Sequence, residues 1–279
     1  MYRAGEMNMR AVALTDTGNM MAAFHFERAV SNYNKDIAAQ RAEAEEKGEE
    51  FTKNEIMPII GCEFNVCRDH TDKTQKDNGY HNLIKLASKA YTEGMYYVPR
   101  IDKTLIEEYK EDVMVLSGNL YGEIPNLILN VGEKQAEDAL VWWKAQFGDD
   151  FYIEVMRHGQ ENEDRVNETL ISLANKHDVK LVATNNTYYL NQGDAEAHDV
   201  LLCVKDNALV STPKGRGRGF RYGLDNEEYY FKSQEEMKEL FLDLPEAIKS
   251  IDGIINKCES YPLAREVLLP AFDIPQEFL

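Results

Sequence analysis

The sequence predicts an α/β protein, and three observations carry that prediction. Short β-branched or aliphatic runs recur along the chain, amphipathic stretches separate them, and polar clusters follow several of the runs. The runs fall at 11–14 (AVAL), 58–60 (PII), 113–116 (VMVL), 151–155 (FYIEV) and 180–183 (KLVA), each reading as a buried strand that leads into a helix. Between them, 20–34, 81–92, 133–147 and 162–176 place apolar residues at three-to-four spacing, as one buried helix face requires. Repeated strand–helix units argue for a parallel barrel or an open parallel sheet. With 279 residues and 43% hydrophobic content, the chain can bury the core of one large domain, or of a domain with an appendage.

In parallel architectures the reactive face lies at the carboxyl ends of the strands. The polar clusters stand at those ends: 15–19 (TDTGN), 61–63 (GCE), 117–119 (SGN), 157–159 (RHG) and 184–187 (TNNT). They are predicted to converge on one face, where any chemistry would sit.

Other segments read as surface or connection. The Ala- and Glu-rich stretch 36–55 is predicted to be an exposed helical insertion, and 68–80 a polar loop containing His70. Residues 211–226 are glycine-rich and carry Lys214, Arg216, Arg218 and Arg221, which reads as a mobile loop. From Ser233 the pattern turns helical, with Ser233 as N-cap and Glu236 at the reciprocal position. Trp142 and Trp143 lie on an amphipathic helix and suit core and rim better than a base-stacking platform.

The net charge of −18 would repel a phosphate backbone over most of the surface, so any DNA contact is expected to be local. The four cysteines, Cys62, Cys67, Cys203 and Cys258, are scattered and signal neither a disulfide framework nor a zinc ribbon. No long apolar stretch or leader is evident, and the reading is of a cytoplasmic protein without a membrane segment.

Three passages give a more specific pointer: AVALTDTGNMMAAFHF at 11–26, PIIGCEFNV at 58–66 and LVATNNTYYLNQGDAEAHDVLLCV at 181–204. Weaker matches at 81–90, 115–125 (VLSGNLYGEIP) and 230–247 (YFKSQEEMKELFLDLPEA) follow in the same order. Together they resemble the PHP (polymerase and histidinol phosphatase) domain of bacterial DNA polymerase III alpha subunits. The resemblance implies a distorted (β/α)7-type barrel over 1–232 and a helical extension over 233–279 leading to the polymerase palm. It also implies a role in DNA replication. Active relatives hold two or three divalent metals at the strand ends and cleave phosphodiesters as a proofreading exonuclease. Others act as a scaffold that supports the polymerase and docks a separate exonuclease subunit.

Metal-assisted phosphoester hydrolysis needs His and carboxylate ligands that polarise the phosphate and activate a water. By the resemblance, Asp16, Glu63 and His158 are residual metal-site positions. At degenerate positions Thr17 stands where relatives carry His, and Asn186 and Tyr188 stand where active members have Asp and His. A neutral amide and a phenol bind divalent cations poorly. The family's opening His-x-His motif has no counterpart in the sequence, and about a dozen residues that often supply a ligand have none at Tyr80–His81. Other roles remain open for the retained residues: N-cap or buried acceptor for Asp16, ordinary structural roles for Glu63 and His158, and hydrogen-bonded packing for His198. His25 reads as a core or interface residue, and His177 carries no signal.

The leading expectation is therefore a structural and docking module with a degenerate metal site and no cofactor of its own. Mg would belong to the polymerase site of the longer protein. Partners would be the remaining polymerase domains, DNA through them, and a proofreading exonuclease subunit. The sequence contains no polymerase-type Asp-x-Asp, so the chain alone is expected to add no nucleotides. The alternative is a metal-dependent phosphoesterase or 3′–5′ exonuclease using Zn or Mn at Asp16, Glu63 and His158. The strip Lys214, Arg216, Arg218 and Arg221 is a candidate contact for phosphate or for an acidic partner, because arginine forks suit both.

Overall fold

A computed structural model describes residues 1–67, 79–215, 217–260 and 262–264, with backbone alone at 65–67 and 79. Arg216, His70, most of the predicted polar loop and the sequence beyond 264 lie outside the described residues. The chain divides into two compact units. The first comprises Met1–Asp16, Met20–Gly61 and the described residues from Cys258 onward, and the second Thr17–Asn19 and Cys62–Lys257.

In the first unit, helix α1 (Tyr2–Glu6) precedes strand β1 (Ala11–Thr17), helix α2 (Ala23–Lys47) and strand β2 (Met57–Glu63), and the two strands pair. Helix α2 buries Ala23, Glu27, Val30, Tyr33, Ile37 and Ala44, a single stripe along its length. The predicted insertion is thus partly the second half of this helix. It stops at Gly48, whose left-handed φ of +70° is conformation that glycine adopts without strain. Asn34 then pins the returning chain: its amide donates to the Ile56 carbonyl and its oxygen accepts the Ile56 N–H, both at 2.9 Å.

The second unit contains β3 (Asn65–Cys67), α3 (Gly79–Thr92), β4 (Arg100–Asp102), α4 (Lys103–Glu108), β5 (Val115–Leu116), α5 (Glu123–Asn130) and α6 (Glu133–Phe147). It continues with β6 (Phe151–Val155), α7 (Glu161–His177), β7 (Lys180–Ala183), α8 (Ala195–Asp206), α9 (Gln234–Leu240) and α10 (Pro245–Lys257). Strands β3 and β4 pair in parallel, and β5, β6 and β7 form a parallel sheet with β6 central. Phe151, Tyr152, Ile153 and Val155 of β6 are buried, as the continuous apolar run demands of a strand covered on both faces. Helix α6 covers this core with Ala136, Ala139, Leu140 and Trp143, and α7 with Val166, Leu170, Leu173 and Ala174. Burial of each large side chain contributes about 1.5–3 kcal/mol.

Trp143 stacks at 6.2 Å on Phe151 and donates its indole N–H to Glu123 at 2.7 Å, which places it in the core as predicted. The cap at Ser233 also forms: its hydroxyl accepts the Glu236 N–H at 3.2 Å while Glu236 accepts the Ser233 N–H at 2.6 Å.

The α/β class holds, but the described strands form three separate sheets of two, two and three strands, none of them closed. The short strands account for this, since β3 and β4 have three residues each and β5 has two, too few for a continuous ladder. Among the described residues no helix is long and apolar enough to cross a membrane.

Candidate functional site

Glu63 ends β2 with its carboxylate exposed. Two neutral side chains donate to it: the Thr17 hydroxyl at 2.8 Å and the Asn119 amide at 3.5 Å. The backbone holds the same pair of segments together, because the Gly18 N–H donates to the Glu63 carbonyl at 2.7 Å. Asn119 is aimed by a tight turn after β5. Gly118 sits at φ +81°, and a Cβ on Gly122 would lie 2.2 Å from the Ser117 carbonyl, so the turn closes only with glycine there. The Asn119 oxygen accepts the Tyr121 N–H at 2.9 Å, which fixes the amide's orientation. Asp16 occupies a half-buried position on β1 in the first unit.

A second carboxyl, which the sequence reading passed over, belongs to this face. Glu154 interrupts the apolar run of β6 and accepts the Thr184 hydroxyl at 2.6 Å, while its backbone N–H donates to Ser117 Oγ at 2.9 Å. Burial pushes its carboxyl above the usual range, the Thr184 bond opposes that shift, and the charge of Glu63 adds to it. The available signal was a lone acid inside a buried strand, where an ionisable group is rarely left without a role.

His158 is handled in the opposite way. It is 1% exposed and stacks on Tyr229 with ring centroids 4.4 Å apart. Glu163, buried in the first turn of α7, takes both the His158 backbone N–H at 2.5 Å and Nδ1 at 2.7 Å. The opposite ring nitrogen, Nε2, accepts the Asn186 backbone N–H at 3.3 Å. Those bonds assign the proton to Nδ1 and spend the Nε2 lone pair on the chain itself. Asn226 adds a bond to the His158 carbonyl at 2.5 Å. Glu163 was also missed from sequence, since its position five residues after His158 looks like an ordinary acidic first turn.

Asn186 turns its amide to the Tyr188 hydroxyl at 3.3 Å. The Tyr188 phenol is pushed up, first by burial and further by Glu63 and Tyr121, against the opposing Asn186 bond. His198 lies 5.5 Å from the Tyr188 ring and 5.4 Å from that of Tyr189, and burial lowers its pKa against the pull of Asp199. Among the described residues no three His, Cys, Asp or Glu side chains gather as metal ligands.

Two of the described cations of the basic stretch are paired within the chain. Arg221 is buried and grips Asp199 of α8 bidentately at 2.9 and 2.7 Å, while its Nε donates to the Thr212 carbonyl at 2.9 Å. Lys214 adds bonds to Asp199 at 3.1 Å and to the Leu224 carbonyl at 3.1 Å. The Arg221 fork, with Lys214 beside it, holds the Asp199 carboxyl down at about 2. Gly217 and Gly219, at φ +93° and +91°, supply the turn that brings Arg221 back. Arg218 stays exposed.

A model of the PHP domain matches residues 1–158 of the chain. The DNA polymerase III alpha subunit of Borreliella burgdorferi is 36% identical over 99% of the chain, and that of Treponema pallidum is 35% identical over 99%. The Thermus aquaticus alpha subunit is 35% identical over 95% of it. The chain spans less than a quarter of these relatives: 23%, 23% and 22% of their lengths. With more than half of its residues matched by the family model, the chain belongs to the PHP domain family.

Proposed function

We propose that this chain is the PHP module of a replicative DNA polymerase alpha subunit and that it acts as a structural and docking element, without phosphoesterase chemistry. Its place in replication rests on the relatives, which are DNA polymerase III alpha subunits over nearly the whole chain. The observation that carries the structural reading is His158: its Nε2 accepts the Asn186 backbone N–H at 3.3 Å, which engages that lone pair within the chain. The donor set at the strand ends does not fit a centre of two or three cations. Thr17, Asn186 and Tyr188 offer neutral oxygens and amides, and Glu63 already accepts two of the chain's own donors.

On this reading 1–232 is the PHP domain, its strands arcs of a distorted (β/α)7-type barrel, and 233–279 a helical extension toward the polymerase palm. Seven strands among the described residues, with helices recurring between them, support that arrangement. DNA and the Mg of nucleotide transfer belong to the longer polypeptide, and a proofreading exonuclease subunit is a candidate partner. Arg218 and Arg216 are the cations of the basic stretch proposed for phosphate or partner contact, since Arg221 and Lys214 act as staples on Asp199.

The test is hydrolysis of a 3′-labelled single strand and of an activated phosphodiester by the purified chain with Mg, Mn or Zn. Background rates in all three support the proposal. Hydrolysis that survives repurification and is abolished by Glu63→Gln refutes it and favours the exonuclease reading.

A further inference from the structure

The turn between α3 and β4 exposes Met95, Tyr96, Tyr97 and Val98 in succession, and Tyr91 is exposed near the end of α3. Tyr97 is 87% exposed, yet its backbone sits at φ +61°, a left-handed conformation that a bulky residue adopts only when its surroundings enforce it. The turn enforces it. Tyr96 N–H donates to the Val98 carbonyl at 3.1 Å, and Arg100 stands 5.2 Å from the Tyr96 ring while its Nε donates to the Gly94 carbonyl at 3.2 Å. A Cβ on Gly94 would lie 1.9 Å from the Arg100 carbonyl, so only glycine allows the chain to cross there. Tyr96 and Tyr97 meet edge to face at 4.7 Å. The result is an aromatic knob whose turn is held by the chain's own contacts, and a contact surface set in place beforehand loses little entropy on binding.

Its composition of Tyr, Met and Arg is that of a protein interface core. Nucleic acid is a poor occupant, because the chain carries −18 and the guanidinium of Arg100 is already engaged within the turn. A second copy is a poor occupant as well: a stable dimer uses about 20–30 residues a side, against the five exposed here. A contact this small suffices when its partner is tethered, since a linker holds it at an effective concentration in the millimolar range. The alpha-subunit relatives extend well beyond the part this chain matches, 23% of the length of two of them.

We infer that the 94–98 turn is a docking knob for another domain of the same, longer polypeptide, which receives Tyr97 in an apolar pocket with an acceptor for its hydroxyl. This rests on the reading of the chain as part of a polymerase subunit. A native polypeptide of only 32.0 kDa by mass spectrometry would remove that reading and the inference with it. Given a longer polypeptide, Tyr97 is replaced in it by photoreactive p-benzoylphenylalanine, with Val131, also exposed, as the control position. Photolysis at 97 gives a crosslink within one polypeptide to a peptide outside 1–279, and photolysis at 131 gives none. Capture of a second copy, of primed DNA or of another subunit, or no crosslink at 97, overturns the inference. Tyr97→Gly supplies the second arm: it raises the Tm of the 279-residue chain by relieving the backbone and lowers that of the longer polypeptide by removing the knob. Any other pair of signs overturns the proposal.

Discussion

His158 and Glu63 occupy two strand ends and have been treated differently by the fold. His158 is enclosed, with both ring nitrogens, its amide and its carbonyl bonded inside the protein. Glu63 remains exposed and accepts two neutral donors. A polar group at a strand end has two stable outcomes. It can be absorbed into a buried network whose every member is satisfied, or be left at the surface where water does the same service. The two positions illustrate one outcome each, and their mutational costs should differ accordingly.

The largest effect is expected at the enclosed position. Glu163→Ala strands the buried Nδ1–H and the His158 amide without an acceptor, which costs about 3 kcal/mol. Chemical denaturation measures it, and a loss below about 1 kcal/mol would mean that water reaches His158 and that the node is not sealed. The Asp199–Arg221 staple extends the comparison to the basic stretch. Asp199 is depressed to about 2 from 3.8, so its contribution is complete above the unfolded value and is lost as pH falls through the folded one. That amounts to about 2 kcal/mol, fully present at neutral pH. Asp199→Asn should flatten the acid limb of the stability profile between pH 4 and 2, about the span of the two pKa values.

Glu154 runs the other way. Its folded pKa lies above the 4.5 of an unperturbed glutamate, so the folded state holds the proton more tightly and stability falls as pH rises past that value. Glu154→Gln should remove this decline and give a small gain at pH 7, where a variant that loses stability would show that the ionised carboxylate is needed. The smallest effect belongs to Glu63→Gln, within about 0.5 kcal/mol as for other surface changes. A larger loss would place Glu63 among the structural groups and erase the contrast with His158.

The strand–helix alternation was readable in the sequence because β6 and β7 are short apolar runs and α6 and α7 keep apolar residues at three-to-four spacing. The sheet divisions were not, since strands of two or three residues such as β4 and β5 leave no periodic trace. At the site, Glu63, His158, Asn186 and Tyr188 stood out by their place in a motif, whereas Glu154 and Glu163 did not. Glu154 is a lone acid in an apolar run that no motif marks, and Glu163 looks like a helix-start acid. Only the packing of β6 and α7 makes one a buried carboxyl and the other the partner of His158. The Arg221 staple was missed for a related reason: a glycine-rich basic stretch reads as mobile until one of its cations finds a carboxylate 22 positions away in sequence.

Metal stoichiometry tests the central claim most directly. The purified chain is equilibrated with Mn, Zn and Fe, desalted and assayed by elemental analysis beside Glu63→Gln. The account predicts less than one tightly held ion per chain and no difference between the two proteins. Two or more ions per chain, lost on Glu63→Gln, would contradict it.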